Sequence, residues 1–243
     1  MKYHFSLFLL AVLWNCQPRP ASEASFEVGW DGALKTIMRE GNLSGQVAVE
    51  EILKKKHVYA LGAMEGLKGE LLVWDGRPLI AMVRDSSLQL SQDGNGNAAL
   101  AVYASVPRWS GAIPIPYNVR SYEALENFIR DAARKEKIDV GKPFPFLVEA
   151  TANKLDYHII DWPEEDTVHT HEKHLQAGMR GTLGAAPVKI LGFYSAHHHG
   201  VFTHHSTNMH LHFMSMEAPI AGHVDSLILE GGKGGLFLPG GEQ

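Results

Sequence analysis

Three histidines near the C-terminal end of the chain constrain its fold more than any other feature. His210 and His212 flank Leu211 within an apolar run, and His223 follows eleven residues after His212. In an extended strand alternate side chains share a face, so the first two imidazoles would lie about 7 Å apart. Residues 218–222 include the proline and glycine of a turn, which would return the chain as a neighbouring strand. The pattern therefore predicts two adjacent strands that bring three imidazoles to one point.

Three imidazoles with an open coordination position are typical of a catalytic zinc site, because structural zinc sites are closed by four protein ligands. Histidine is also concentrated in this part of the chain, since 11 of the 14 histidines lie within residues 169–223. Residues 197–205 contribute five of them, and they form either a second metal site or, as we favour, a solvated loop. His169, His171 and His174 also have metal-like spacing, but their polar surroundings favour an exposed segment.

The composition is that of an ordinary globular protein, and it excludes one class of function. Of the 243 residues, 45% are hydrophobic and 20% are charged, and the formal net charge is -5. A chain of this length can bury a substantial core, in one domain or in two small ones. The chain has no excess of lysine and arginine over acidic residues, which argues against nucleic acid as a partner.

Residues 1–24 have the features of an export signal and a leader. Lys2 precedes an apolar run at 5–14, which is too short to span a bilayer and has the length of a signal-peptide core. Cys16 is the only cysteine, and as a lipoprotein signal it would carry a lipid anchor. The alternative is simple secretion, because the residue before a lipidated cysteine is normally small and Asn15 is not. In both cases we expect an exported protein (periplasmic, membrane-anchored or secreted) without an intrachain disulfide.

The remaining patterns predict an α+β fold in which sheets dominate. Hydrophobic periodicity and capping residues predict helices over residues 30–39, 46–54 and 121–137. Short apolar runs broken by turn residues predict strands over residues 57–63, 70–74, 78–83, 98–104, 146–151, 155–160, 188–194, 210–214 and 223–229. We therefore expect an N-terminal α+β half over residues 25–137, ending in a connecting helix, and a β-rich half over residues 138–243 that carries the metal ligands. Their sheets would be mixed or antiparallel.

Two separated motifs resemble the signatures of the α-acetolactate decarboxylase family. Residues 62–76 are similar to the N-terminal signature, a G-T-x-x-x-L-x-G-E pattern followed by an apolar strand and Asp-Gly, with Ala63 in place of the threonine. The second signature is an H-L-H-F strand and then a loop that ends in Gly-His-Val. Residues 210–213 and 222–224 keep its spacing. The resemblance extends from about residue 34 to residue 229, in the same order along the chain.

This resemblance implies two β-rich halves with a metal in the cleft between them, and a lyase that converts 2-acetolactate to acetoin and carbon dioxide. By the same resemblance, His210, His212 and His223 would bind Zn²⁺ and Glu70 would be the active-site glutamate of the first motif. Loss of carbon dioxide leaves an enediolate, whose charge needs a Lewis acid and whose carbon then needs a proton. Glu242 is the only late candidate for the family's C-terminal acid. The expected partners are a small 2-hydroxy-3-keto acid and a lipid anchor at the N-terminal cysteine, and a homodimer is a further expectation.

The main departure from the family is a missing arginine. The family carries an arginine on a central strand, where it meets the substrate, and Asp161 falls near that position. No arginine lies between Arg134 and Arg180. This departure favours an alternative function, namely an exported zinc-binding protein of the same fold without decarboxylase activity. A cupin with Glu217 as a ligand is a more distant alternative, because His223 follows too closely for a cupin's second motif.

Overall fold

The computed structural model describes residues 26–240 and has two antiparallel sheets with few helices. The predicted α+β class with two β-rich parts is confirmed. The predicted signal segment, the lipid-anchor position Cys16 and the candidate acid Glu242 lie outside the described residues.

The first sheet contains seven strands from the N-terminal part of the chain. Their bounds are β1 (Val28–Asp31), β2 (Val47–Ala48), β3 (Val58–Met64), β4 (Glu70–Trp74), β5 (Arg77–Arg84), β6 (Ser87–Ser91) and β7 (Asn97–Ser105). The strands pair in the order β1-β7-β3-β4-β5-β6, and β2 also pairs with β7. The central strands β3 and β4 are almost wholly buried, so their apolar residues face protein on both sides.

The second sheet contains six strands and carries the histidine motif. Their bounds are β8 (Ile113–Pro114), β9 (Phe144–Ile159), β10 (Met179–Leu183), β11 (Ala186–Tyr194), β12 (Met209–Ser215) and β13 (Ala221–Phe237). The strands pair in the order β10-β9-β11-β12-β13-β8. Because β13 also pairs with β9, the strands β9, β11, β12 and β13 are joined in a closed ring of pairings.

The helices are short, except for one that packs on the second sheet. Their bounds are α1 (Leu34–Glu40), α2 (Val49–Leu53), α3 (Tyr122–Lys135) and α4 (His171–Gln176), with a 3-10 helix at Glu65–Leu67. α3 begins after Ser121, whose side-chain oxygen accepts a hydrogen bond from the backbone N–H of Ala124 at 3.2 Å. Leu125 and Ile129 join its inner face to the core of the second sheet. Within residues 26–240, no helix is long and apolar enough to cross a bilayer.

Three of the differences from the sequence-based prediction follow from strand pairing. The first helix begins at Leu34, because Trp30 pairs with Val102 in the first sheet and Gly32 then turns the chain at a φ of 77°. β9 is one strand where two were predicted, because β11, β10 and β13 together supply partners along its length. β13 continues through a glycine-rich segment to Phe237, eight residues beyond the predicted strand end at residue 229.

A shared apolar layer joins the two sheets. One core cluster contains side chains from both of them, namely Leu61, Leu72 and Val102 from the first and Leu147, Leu191 and Phe193 from the second. All six are almost wholly buried. This layer fixes the position of β4 relative to β12, so it determines which residues of the two sheets can meet.

Candidate metal centre

The histidines of β12 lie on one face of a strand whose two faces are both buried. Met209, Leu211 and Phe213 point into the core of the second sheet, and His210 and His212 therefore occupy the opposite face. On the neighbouring strand β13, His223 is paired directly with His212. The structure thus places the three predicted ligands on two adjacent antiparallel strands.

The three imidazoles are close enough to share one metal ion. One nitrogen from each of His210, His212 and His223 lies within 4.8 Å of the other two. The ring centroids are 5.1 Å apart for the first pair, and His223 is 5.0 Å and 5.3 Å from the two rings of β12. Tetrahedral zinc sites bind imidazole nitrogens at about 2.0–2.1 Å, and nitrogens this close together can do so with small side-chain movements.

Burial keeps these imidazoles in the neutral form that binds metals. It lowers the pKa of His212 to about 3, with nearby His158 adding to the shift. Burial also lowers the pKa values of His210 and His223 well below the usual range. Among the residues that the structure describes, Nδ1 of His210 and both ring nitrogens of His212 have no hydrogen-bond partner. Buried nitrogens without partners are costly, so the donor set fits a bound metal ion.

Glu70 comes from the other sheet and lies beside these histidines. Its Oε2 is 3.5 Å from Nε2 of His212, and its Oε1 accepts a hydrogen bond from the backbone N–H of Ile160 at 3.1 Å. Burial raises the pKa of this carboxyl to about 7, although His158 opposes the shift. The preceding Gly69 has a φ of 138°, and a Cβ there would lie 2.5 Å from the carbonyl oxygen of Ala81. In the first motif, the glycine therefore allows the close approach of the backbone, and the glutamate that follows it places its carboxylate beside the histidines.

Three further residues form a polar network that the sequence analysis missed. Nε2 of His158 lies 3.6 Å from Oε1 of Glu70, and its Nδ1 lies 2.7 Å from Oδ1 of Asp225. Arg180 is paired with His158 across β10 and β9, and its Nη1 donates to Oδ2 of Asp225 at 2.8 Å. A β-bulge between Val224 and Ser226 changes the register of β13 at the aspartate, and no sequence pattern marked it.

This network also contains a second group of possible metal ligands. One ligand atom from each of His158, His223 and Asp225 lies within 4.8 Å of the others. His223 belongs to both groups, so the two groups are alternative sets of ligands for one metal ion and not two separate sites. The buried three-histidine group fits zinc better, because three of its ring nitrogens have no hydrogen-bond partner, whereas Nδ1 of His158 already lies 2.7 Å from Oδ1 of Asp225.

The cavity beside the three histidines contains an arginine, although not at the predicted position. Asp161, which we placed near the family's arginine, forms an ion pair with Lys68 at 3.0 Å. Arg180 instead lines a cavity of about 630 Å³ together with Glu70 and His223. A cation is therefore present beside the histidines, and it is supplied by β10.

The two other histidine-rich segments, residues 197–205 and 169–174, have different surroundings. In the loop after β11, His198 stacks on Phe202 at 4.9 Å, and His204 lines the cavity with its ring 5.7 Å from that of His223. The groups of possible metal ligands among the described residues include none from this loop. His169 and His174 stack on Trp162 at 4.6 Å and 4.2 Å and are partly buried, so the predicted exposure of these two was wrong.

Glu126 on α3 fixes the start of β12, the strand that carries His210 and His212. It accepts hydrogen bonds from Oγ1 of Thr207 at 2.6 Å, from Nδ2 of Asn208 at 2.6 Å and from the backbone N–H of Asn208 at 3.2 Å. We expect Glu126→Gln to lower the free energy of unfolding by about 1–3 kcal/mol, because hydrogen bonds to a charged acceptor are lost. Urea denaturation measures the change. Glu136→Gln, at the exposed end of the same helix, should change it by less than about 0.5 kcal/mol, and equal effects would contradict the assigned role.

A family model described as alpha-acetolactate decarboxylase matches residues 32–235, a range that includes nearly all of both sheets. The chain belongs to the α-acetolactate decarboxylase family. This family membership makes the chain a relative of carboxy-lyases that act on a small molecule. Among curated proteins, no sequence matches the chain significantly.

Solved structures show the same fold at low sequence identity. The α-acetolactate decarboxylase of Bacillus subtilis strain 168 is 17% identical, with 89% of this chain and 86% of that chain covered and a TM-score of 0.68. A Staphylococcus aureus protein of unknown function, similar to α-acetolactate decarboxylase, is also 17% identical, with 86% and 84% covered and a TM-score of 0.66. The two sheets of the present family member therefore have the arrangement found in a decarboxylase and in a relative of unknown function.

Proposed function

We propose that this family member is a zinc-dependent enzyme that converts 2-acetolactate to acetoin and carbon dioxide. The observation that carries the proposal is the meeting of Glu70 from the first sheet with the three buried histidines of the second, at 3.5 Å from His212. A carboxylate beside three neutral imidazoles, at the edge of a cavity, is an arrangement suited to metal-assisted chemistry.

The three histidines would hold the metal and leave one coordination position open to the cavity. Both His210 and His223 line that cavity, so a substrate inside it would reach the metal from their side. When bound, Zn²⁺ supplies a Lewis acid that stabilises the negative charge left on oxygen as carbon dioxide departs. Neutral imidazole ligands preserve the full positive charge of the ion, which increases this effect.

Arg180 is the residue that we propose for binding the substrate carboxylate. Its hydrogen bond to Asp225 orients the guanidinium at the wall of the cavity. A guanidinium carries five N–H donors in a planar fork, so it can hold Asp225 and a second carboxylate at the same time. This arrangement would replace the arginine that the family carries on a central strand. It therefore favours the decarboxylase over the alternative of a zinc-binding protein without activity.

Glu70 would act on the substrate hydroxyl group. Its Oε1 is held by the N–H of Ile160, which leaves Oε2, beside His212, to accept a hydrogen bond from that hydroxyl. After carbon dioxide leaves, the resulting enolate, which keeps its hydroxyl proton, takes up one proton at carbon to give acetoin. Glu242 remains our proposed source of that proton.

Export and assembly are further proposals about the same protein. The apolar run at 5–14 and Cys16 support export, with either a lipid anchor or simple cleavage. Labelling of the expressed protein with a radioactive fatty acid, compared with a Cys16→Ala variant, separates the two. A homodimer also stays a prediction, which light scattering of the purified protein tests.

The decarboxylase proposal is tested with purified, zinc-loaded protein and racemic 2-acetolactate. We expect acetoin to form, to disappear after dialysis against a chelator, and to return when zinc is added back. Elemental analysis identifies the metal that the protein carries when isolated, since imidazole ligands also suit nickel, copper and iron. Tight zinc binding without acetoin would contradict the proposal and favour the zinc-binding protein.

A further inference from the structure

The cavity above the metal ligands is much larger than 2-acetolactate. Its volume is about 630 Å³. The acid has roughly nine non-hydrogen atoms, and even at the ~30 Å³ that a water molecule occupies in the liquid, they would fill less than half of this space. Cavities of roughly 300–1,000 Å³ usually hold ligands of drug size. Size therefore points to a longer substrate.

The surplus volume is bounded by an apolar wall that the proposed reaction does not use. α1 supplies Leu34, Ile37 and Met38, and the first sheet with its 3-10 helix supplies Leu67 and Leu100. The last two are buried, as is Ile37, so the wall is continuous with the protein core. An aliphatic group in contact with this wall would be removed from water.

The wall is held in place by backbone hydrogen bonds at the start of α1. The N–H groups of Leu34 and Lys35 donate to the carbonyl oxygens of Val201 and Gly200, at 2.8 Å and 2.7 Å. At the other end of the helix, Gly41 packs against the ring of His169, where a Cβ would lie 2.7 Å from the ring. Because both ends of α1 are fixed against other segments, the apolar surface is preformed.

The cavity also has a polar lining, and α1 contributes Lys35 and Arg39 to it beside the apolar residues. Glu70, His210, His223, Asp225 and Arg180 line the part of the cavity that contains the metal ligands. A ligand that satisfies both parts carries a metal-chelating, anionic head and an apolar tail. We propose that the protein binds 2-hydroxy acids with an aliphatic substituent several carbons long, and that its substrate is a 2-hydroxy-3-keto acid of this kind. The second half of this inference rests on the proposed decarboxylase function.

Binding of non-reacting 2-hydroxy acids tests the inference without turnover. The probes are 2-hydroxybutanoate, 2-hydroxyhexanoate and 2-hydroxyoctanoate, titrated by calorimetry into the zinc-loaded protein. Each methylene buried against the wall should tighten binding about fourfold, so each step of two methylenes should tighten it about tenfold or more. Equal affinities for the three acids would overturn the inference.

Larger side chains on the apolar wall provide a second test, because they reduce the cavity volume that an aliphatic tail would occupy. Leu34→Trp should remove the gain with chain length and leave the affinity for 2-hydroxybutanoate within about threefold, because the metal ligands are untouched. Met38→Phe is a smaller change with the same expected direction, in case the tryptophan variant does not fold. Met216→Trp, at an exposed position outside the cavity, is the control. An unchanged chain-length gain in both wall variants would overturn the inference.

The reaction itself distinguishes this inference from the decarboxylase proposal. Homologues of 2-acetolactate with longer alkyl groups at carbon 2 should be decarboxylated with a higher kcat/KM than 2-acetolactate. A protein that gains affinity with chain length but releases no carbon dioxide from any homologue would retain the binding site and contradict the decarboxylase. A protein that converts 2-acetolactate and rejects the longer homologues would retain the decarboxylase and contradict the enlarged substrate.

Discussion

Replacing His212 with alanine is expected to weaken zinc binding strongly and to remove acetoin formation with it. His212 is the most buried of the three candidate ligands, with 1% of its surface exposed, and it lies between Glu70 and His223. Two imidazoles would remain, which is too few to hold zinc in a catalytic site with an open position. We expect zinc affinity to fall by about a hundredfold or more, since even residues that only support metal ligands contribute about 10–100-fold. Elemental analysis after dialysis and the acetoin assay measure the two effects.

A matched histidine variant shows whether the effect is specific. His197 is exposed, lies outside the cavity lining and belongs to no group of possible ligands among the described residues. His197→Ala should therefore keep its zinc and its activity. Stoichiometric zinc and normal turnover in His212→Ala would show that the metal is bound elsewhere.

Replacing Glu70 with glutamine is expected to retain zinc and remove most of the activity. The amide has the shape of the carboxylate, and its oxygen can still accept the hydrogen bond from the N–H of Ile160. The glutamine side chain lacks the negatively charged oxygen beside His212, which we propose accepts a hydrogen bond from the substrate hydroxyl. General acid–base groups contribute about 10²–10⁴-fold to turnover, and we expect kcat to fall within that range. Steady-state kinetics on the zinc-loaded variant give the answer.

Glu65, in the same motif, provides the control for this variant. It is exposed, and it accepts hydrogen bonds from the backbone N–H of Gly45 and the side chain of Asn97, so its carboxylate points away from the cavity. Glu65→Gln should leave kcat within about threefold of the original value. A Glu70→Gln variant with zinc bound and kcat unchanged would remove Glu70 from the mechanism.

Much of the fold could be predicted because its signals are local. Ser121 marks the start of α3, where its side chain caps the helix, and Gly41 ends α1 in the left-handed conformation. The H-x-H alternation predicted a strand with both imidazoles on one face, and β12 has this arrangement. The prediction was wrong where residues far away in the chain determine the local structure. Trp30 was predicted to begin a helix, but it pairs with β7 and lies in a strand.

The predicted ligands of the site depend on the same local patterns, whereas the residues around them do not. His158, Asp225 and Arg180 come from three strands and meet through a β-bulge and an antiparallel register. His158 and Asp225 are ordinary polar residues of predicted strands, and Arg180 lies on β10, a strand that was not predicted. For this reason the sequence pointed to a lost arginine, and the fold revealed a cation at another position.

The sequence by itself determined that two neighbouring strands would carry the three histidines, because strand periodicity and a short turn leave little freedom between His210 and His223. Only the tertiary structure decided that Glu70 stands beside them, with Arg180 and the apolar wall of α1 around one cavity. The physical reason is that the apolar layer between the two sheets sets their separation and register, and that layer is formed by side chains far apart along the chain.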